Sequence, residues 1–271
     1  MNTATSKMPP IGFGTFPLTG SEARDAVETA LELGFRHIDT AQWYDNEADV
    51  GRAIAAAGVP RDDLYVVTKV MPDRFTDNAF LPSVEGSLDA LGLDRVDLLL
   101  VHWPPPGLSV EATVDYLLAA HEKGLTAEIG VSNYNVTMLE TACAHAPVPV
   151  VTNQVEFHAL LDQTRLVAAA DRLGVRLTAY CPLARGEVLG NPVVRDVAER
   201  IGRTAAQVAL RWILQQGVTV ISMSTKRANM EANLEIAEFE LDQADMDAVS
   251  AQTATGRRLV DLPELAPDWD A

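Results

Sequence analysis

Short runs rich in Val, Ile and Leu recur along this chain, with little alternation of polar residues inside them. They are Ile11–Phe16, Arg36–Thr40, Leu64–Val70, Val96–Trp103, Glu128–Ser132, Val150–Glu156, Arg176–Tyr180 and Val218–Met223. A strand covered on both faces reads this way, as in a parallel sheet wrapped by helices. Amphipathic stretches lie between the runs. Ala23, Ala26, Val27, Ala30 and Leu31 fall on one helical face, with Ser21 as N-cap and Gly34 as the stop. Val50, Ala53, Ile54 and Ala57 repeat at the same spacing before Gly58. Thr204-Ala205-Ala206-Gln207 has the form of a capping box and opens a helix to Gln216. Strand then helix, repeated eight times, predicts a single-domain (β/α)8 TIM barrel over residues 1–271. No linker or low-complexity run divides the chain. A doubly wound sheet is the competing arrangement, but no Gly-x-Gly-x-x-Gly follows the first strand to favour it.

Composition narrows the class. A chain of 271 residues with 48% hydrophobic and 22% charged residues can bury a core without staples. Lys and Arg number 21 against 38 Asp and Glu, a formal charge of −17, which speaks against nucleic-acid and anionic-membrane partners. Cys143 and Cys181 form no metal-ligand spacing and suit free thiols in a reducing compartment. The N-terminal residues Met1–Lys7 are polar with no apolar segment behind them, and no run approaches the ~20 residues of a membrane span. The expectation is a soluble cytoplasmic protein, monomeric, without a bound metal.

Four polar residues at or just after three successive strand ends carry the candidate chemistry. Asp39 closes the second strand, Tyr44 follows in the loop, Lys69 ends the third strand and His102 the fourth. Asp39, Lys69, His102 and Asn133 are about one βα unit apart, which places them on one rim of a barrel. A Lys in an apolar strand is costly unless paired, and Asp39 is the obvious partner. Tyr44 is the candidate acid. A free phenol, with pKa about 10, gives up its proton reluctantly, and a neighbouring ammonium is expected to lower that value. His102 could orient a carbonyl by hydrogen bonding. Each residue also has a plainer reading: Lys69 as a rim lysine, Asp39 as a turn residue, His102 as a satisfied core histidine. The four together favour proton transfer.

The wording of Asp39–Glu47, Leu91–Leu98, Gly130-Val131-Ser132-Asn133-Tyr134 and Asn153-Gln154-Val155-Glu156 resembles the aldo-keto reductases. The likeness runs from about Met8 to Trp269. Within that family it is nearest to the bacterial 2,5-diketo-D-gluconate reductases, the B type in particular. Ser224-Thr225-Lys226-Arg227 with Asn229, and the tail Arg258-Leu259-Val260 and Leu265-Ala266-Pro267-Asp268-Trp269-Asp270, carry that nearer likeness.

The resemblance implies reduction of a small-molecule carbonyl by a nicotinamide cofactor. Tyr44 would be the proton donor, tuned by Asp39 and Lys69, with His102 positioning the carbonyl. Ser132, Asn133 and Gln154 match positions that hold the nicotinamide carboxamide, and Tyr180 the aromatic that stacks on its ring. Leu183 would lie along the pyrophosphate, with Ser224, Thr225, Lys226, Arg227 and Asn233 at the adenosine end. The chain departs from the common family pattern after the eighth strand. Met223, Asn229 and Ala232 stand where many members carry Lys, Arg and Glu, so the usual clamp for a 2′-phosphate is missing. Lys226 and Arg227 are the replacement expected if NADPH is preferred, since a phosphate needs charged donors; use of NADH stays open. Trp43, Met71 and Trp103 are the expected pocket residues. The substrate classes implied are small aldehydes such as methylglyoxal and keto-sugar acids such as 2,5-diketo-D-gluconate, with the reverse alcohol oxidation also open. Two rival readings are a Schiff-base aldolase built on Lys69 and a nicotinamide-binding regulatory module without turnover. Asp39 argues against the first, because it would keep Lys69 charged. The intact four-residue set argues against the second.

Overall fold

A computed structural model describes residues 7–269. The polar residues 1–6 and the last tail position, Asp270, lie outside the described residues. Eight parallel strands close into a barrel in sequence order. They are β1 (Ile11–Gly14), β2 (His37–Asp39), β3 (Tyr65–Val70), β4 (Val96–Val101), β5 (Thr126–Ser132), β6 (Val150–Glu156), β7 (Arg176–Tyr180) and β8 (Thr219–Ser222). The helices are α1 (Gly20–Leu33), α2 (Glu47–Ala56), α3 (Phe80–Leu91), α4 (Val110–Glu122), α5 (Val136–His145), α6 (Thr164–Leu173), α7 (Pro192–Ile201), α8 (Ala205–Gln215), α9 (Arg227–Leu234) and α10 (Gln243–Ser250). The expected strands all form, most of them shortened at their ends. Thr40 and Trp103, for instance, have already left the ladder and entered the loops. Two helices rather than one separate β7 from β8, and two more follow β8.

The barrel closes where Ile11, Gly12 and Phe13 pair with Val220, Ile221 and Ser222. A Cβ on Gly12 would come within 2.6 Å of the Ile221 side chain and 2.9 Å of the His37 ring. The bare backbone there admits both side chains into the interior. The helix signals hold with one correction. Ser21 does not cap α1. Thr19, with extended backbone, is the N-cap, and Gly20, at φ 58°, turns the chain into the helix. Gly34 stops α1 at φ 105°, its N–H returning to the Ala30 and Leu31 carbonyls. The Thr204–Gln207 capping box is complete, each side chain bonding the other's backbone, and α8 ends at Gln215.

Two apolar layers result. Most of the core fills the space between strands and helices. A smaller cluster of Met8, Tyr65, Val67, Leu98 and Leu100 fills the barrel interior. Period-two alternation fixes what stands above that cluster. Tyr65, Val67 and Lys69 share one face of β3; Leu98 and Leu100 continue towards His102. The same parity turns inward Asp39, Ser132, Gln154, Glu156 and Tyr180. The polar residues therefore form the top layer of a packed interior at the C-terminal ends of the strands, where barrels of this kind carry their sites. Among the described residues no helix is long and apolar enough to cross a membrane. Cys143 and Cys181 are both free thiols.

Candidate active site

Lys69 is the centre of the site and is 1% exposed. Its Nζ donates to Asp39 Oδ1 at 2.6 Å, to the Thr40 carbonyl at 2.9 Å and to the Tyr44 hydroxyl at 3.2 Å. All three of its protons are thus directed. Asp39 is held on its other oxygen by Gln154 Nε2 at 2.7 Å. Tyr44 lies in a single turn of 3-10 helix, Gln42–Tyr44, which ends at Asp45 in the left-handed region at φ 52°. Its ring packs against Phe16 at 5.1 Å and edge-on to His102 at 5.5 Å. Asp39, Tyr44, Lys69 and His102, separated along the chain, meet in one place.

Burial pulls the Lys69 ammonium towards neutrality, but the Asp39 carboxylate and Tyr44 outweigh it and hold its pKa above the ordinary value. A lysine kept charged is a poor nucleophile, which weighs against Schiff-base chemistry. Burial lowers the pKa of His102 well below the usual histidine value, and Lys69 adds to the effect. The imidazole is therefore neutral near pH 7 and suited to hydrogen bonding rather than to proton donation. Its Nδ1 is buried without a hydrogen-bond partner among the described residues.

The expectation that Lys69 would leave Tyr44 with a lowered pKa is corrected. Burial raises it, and although Lys69 pulls it back, the net direction is upward. The cause is the packing of the phenol between Phe16, His102 and the barrel rim, which the sequence does not display. The phenol holds its proton at neutral pH. It can still yield it to an alkoxide forming in contact with it, and Lys69 then stabilises the phenolate left behind.

The candidate carboxamide residues gather at the ends of β5 and β6, in contact with Asp39 and His102. Ser132 Oγ donates to the Gln154 carbonyl at 2.7 Å. Asn133, left-handed at φ 62°, donates to the His102 carbonyl at 3.0 Å and accepts from the Tyr180 hydroxyl at 2.8 Å. Two side-chain amides and a hydroxyl offer the mixed donors and acceptors that a carboxamide needs, so the donor set fits a nicotinamide. Burial raises the Tyr180 pKa well above the phenol value, leaving a neutral ring. Beyond it Cys181, Ala184 and Arg185 all take positive φ, and Leu183 sits half-buried between them. Sharp bends of this kind turn backbone N–H groups towards one side, as anion-binding loops do.

At the end of β8, Ser224 Oγ accepts from the Lys226 N–H and from Asn229. Thr225 lies in the loop between, Asn233 is buried and donates to Ser222 Oγ at 3.1 Å, and Lys226 precedes the first turn of α9. Arg227 is exposed and bound to Glu32 at 3.0 Å and Glu231 at 3.2 Å. Arg227 would have to leave both carboxylates before it could meet an anion beside Lys226.

The expected pocket residues are placed unequally. Trp43 is 45% exposed and edge-on to His102 at 5.5 Å. Met71 is half-buried after β3. Trp103 is buried, its ring 6.3 Å from that of Trp269. Four residues of the site carried no predicted role. Phe16 packs on Tyr44. Gln42 bonds Ser83, Ser87 and the Met71 N–H, and Asn46 bonds Thr40 and the Leu18 carbonyl; both tie neighbouring loops together. Trp269 covers Trp103. An aromatic at the end of the first apolar run, followed by Pro, was the available signal for Phe16. Gln42 and Asn46 lay inside the Asp39–Glu47 stretch, but most of their partners are distant in sequence.

The model of the aldo/keto reductase family matches residues 10–253. The chain is 43% identical over 266 residues to the methylglyoxal reductase DkgB of Escherichia coli O157:H7, covering 97% of this chain and 99% of that protein. A crystal structure provisionally described as a 2,5-diketo-D-gluconic acid reductase B superposes with TM-score 0.95 at 43% identity, over 98% of this chain and 95% of that one. The aldose reductase of Schistosoma japonicum superposes with TM-score 0.91 at 28% identity, over 98% and 96%.

Proposed function

Because the chain belongs to the aldo/keto reductase family, we propose that it reduces aldehydes or ketones to alcohols with NADPH, as a cytoplasmic enzyme. The observation that carries the reading is the Lys69 ammonium, fixed at 2.6 Å from Asp39 and 3.2 Å from the Tyr44 hydroxyl. Ser132, Asn133 and Gln154 would hold the carboxamide, Tyr180 would stack against the ring, and Leu183 to Arg185 would run beside the pyrophosphate. When bound there, the reduced nicotinamide supplies the hydride.

The rest of the reaction belongs to this chain. The neutral His102 and the Tyr44 hydroxyl would hold the carbonyl oxygen and turn its carbon towards the ring. As a C–H bond forms at that carbon, the π pair moves onto oxygen, and Tyr44 gives up its proton to it. Negative charge passes to the phenolate, 3.2 Å from Lys69 Nζ. Asp39 keeps that cation charged and aimed. At high alcohol concentration the same groups run the steps backwards.

Methylglyoxal suits the site as a small, exposed carbonyl, and the name of the 43% identical relative supports it. A keto-sugar acid such as 2,5-diketo-D-gluconate is the second substrate class to test. The experiment follows reduced-nicotinamide absorbance with both compounds and both cofactors. Turnover with NADPH, abolished by Tyr44→Phe, supports the reading. A borohydride-trapped adduct on Lys69, or cofactor binding with no turnover of any carbonyl, would overturn it.

A further inference from the structure

Glu156 ends β6 two residues after Gln154, faces the barrel mouth, and is fully buried. It has no part in the proton transfer described above. Its Oε1 accepts from His158 Nε2 at 2.9 Å and from the Leu259 N–H at 2.8 Å. Its Oε2 accepts from the Val260 N–H at 2.9 Å, with an Arg258 guanidinium nitrogen 3.9 Å away. His158 is fixed in its turn: Nδ1 accepts from the Leu160 N–H at 3.2 Å, so the ring proton sits on Nε2 and points at Glu156. A buried carboxylate is costly unless its lone pairs are met by well-placed donors. Two of the donors here are main-chain groups more than a hundred residues away, on the C-terminal tail.

The neighbouring contacts show where this attachment leads. The Arg257 N–H donates to the Leu160 carbonyl at 2.7 Å. Arg258 stacks its guanidinium 3.8 Å from the centre of the Trp269 ring. Trp269 lies against Trp103, the residue after His102, and bonds Asp261 at 2.9 Å. Asn135, two residues after Asn133, donates to the Asp268 carbonyl at 2.9 Å. Residues 257–269 therefore cross from the end of β6 to the loops after β4 and β5, where Trp103 follows His102.

We propose that Glu156 is a positioning residue for the carbonyl substrate. It fixes the root of the tail at Leu259 and Val260 and so sets the wall that Trp269 and Trp103 present beside His102. The proposal rests on the reductase reading for its kinetic part only. Glu156 makes no hydrogen bond to Tyr44 or to the side chains of Ser132, Asn133 and Gln154, and it acts on its strand neighbour Tyr180 through charge alone, so its loss should weaken substrate binding and leave the chemical step alone.

The test uses the full-length protein and Glu156→Gln, which keeps the shape but replaces one of the two accepting oxygens by an NH2 that opposes a tail N–H instead of accepting from it. The first readout is limited trypsin digestion, which needs no activity. Wild type should resist cleavage after Arg257 and Arg258, whose bonds lie in the docked backbone, and the variant should be cut there with its barrel circular dichroism intact. The second is kinetic: KM for methylglyoxal should rise about tenfold, the size of one lost binding contact, with kcat and the NADPH dissociation constant unchanged. Trp269→Ala should raise KM similarly, and the double variant no further than either alone, because both act through one tail. If Glu156→Gln fails to fold, His158→Gln, which removes one donor and keeps the carboxylate, must show the same split in smaller measure. A tail as protected as wild type, additive effects on KM, or a loss confined to kcat or to cofactor binding would overturn the proposal. A protein that shows tail release but reduces no carbonyl would keep the clamp and defeat the reductase reading instead.

Discussion

Lys69→Met removes one charge from the middle of the site and keeps most of the buried stem. Two consequences follow, and their sizes can be worked separately. A cation 3.2 Å from the Tyr44 oxygen stabilises a phenolate there by about 5 kcal/mol at an effective dielectric near 20. Asp39, bound to the same cation at 2.6 Å, cancels part of that field. The remainder is of the order general-acid assistance contributes, about 10²–10⁴-fold in rate, or roughly 3–5 kcal/mol. Turnover should fall by that factor. Folding should also suffer, because Asp39 loses the partner of a buried pair. Breaking such a pair costs about 3–5 kcal/mol, and the surviving Gln154 bond at 2.7 Å places this case at the lower end. The melting temperature should therefore drop by roughly 6–12 °C.

The assay separates the two effects. Single-turnover reduction of methylglyoxal, well below the variant's melting temperature, reports the chemical step. Fluorescence titration reports whether the cofactor still binds. The expected result is a folded, cofactor-binding protein slowed at least a hundredfold. A variant within tenfold of wild type would show that Lys69 does not make Tyr44 an acid, and the proton route would have to be sought elsewhere.

Tyr44→Phe should cost about 10²–10⁴-fold in kcat while the NADPH dissociation constant stays within a factor of about two by fluorescence titration. Lys226→Ala with Arg227→Ala should weaken NADPH about tenfold and leave NADH unchanged; equal affinity of wild type for both cofactors would refute the compensating pair. Burial lowers the folded pKa of both His37 and His102, so their contribution to stability is complete above the unfolded value of about 6.5 and is lost as pH falls from there through the folded values. Thermal melts of His102→Gln should accordingly show a shallower decline below about pH 6.5 than wild type. Gly51→Ala should destabilise by about 1–3 kcal/mol in chemical denaturation, because the added Cβ would stand 2.5 Å from the Leu91 carbonyl oxygen, a backbone atom that cannot step aside.

The barrel was legible because its evidence is periodic and local. Uninterrupted Val and Leu in β3 and β4 imply cover on both faces, and the spacing of Asp39, Lys69 and His102 repeats the βα unit. Parity within each strand then orients the side chains: if Val67 and Leu100 fill the interior, Lys69 and His102 must stand above them. The pairing of Lys69 with Asp39 followed from cost alone, since a buried ammonium without a partner is hard to keep. The tail was not legible in the same way. Leu259 and Val260 show no periodic signal, and what orders them is the donation of their N–H groups to the Glu156 carboxylate, a contact between segments far apart in sequence. Nor was the false Ser21 cap avoidable from pattern alone, because the left-handed turn at Gly20 moves the helix start without changing its apolar face.

The sign of the Tyr44 shift is the most instructive difference. Charge can be counted along a chain, and a Lys one strand away from a Tyr implies a lowered phenol pKa. Burial cannot be counted that way. It depends on Phe16 after β1, His102 after β4 and the loop at Tyr44 closing on one another. Here burial outweighs the ammonium, and the phenol keeps its proton. For a reductase this is the more useful outcome. An acid with a strongly lowered pKa would stand ionised much of the time near neutrality and have nothing to donate. A buried phenol beside a fixed cation stays protonated in waiting, and releases its proton only when negative charge develops on an oxygen in contact with it. The cation then acts on the transition state more than on the resting enzyme, which is where stabilisation raises the rate.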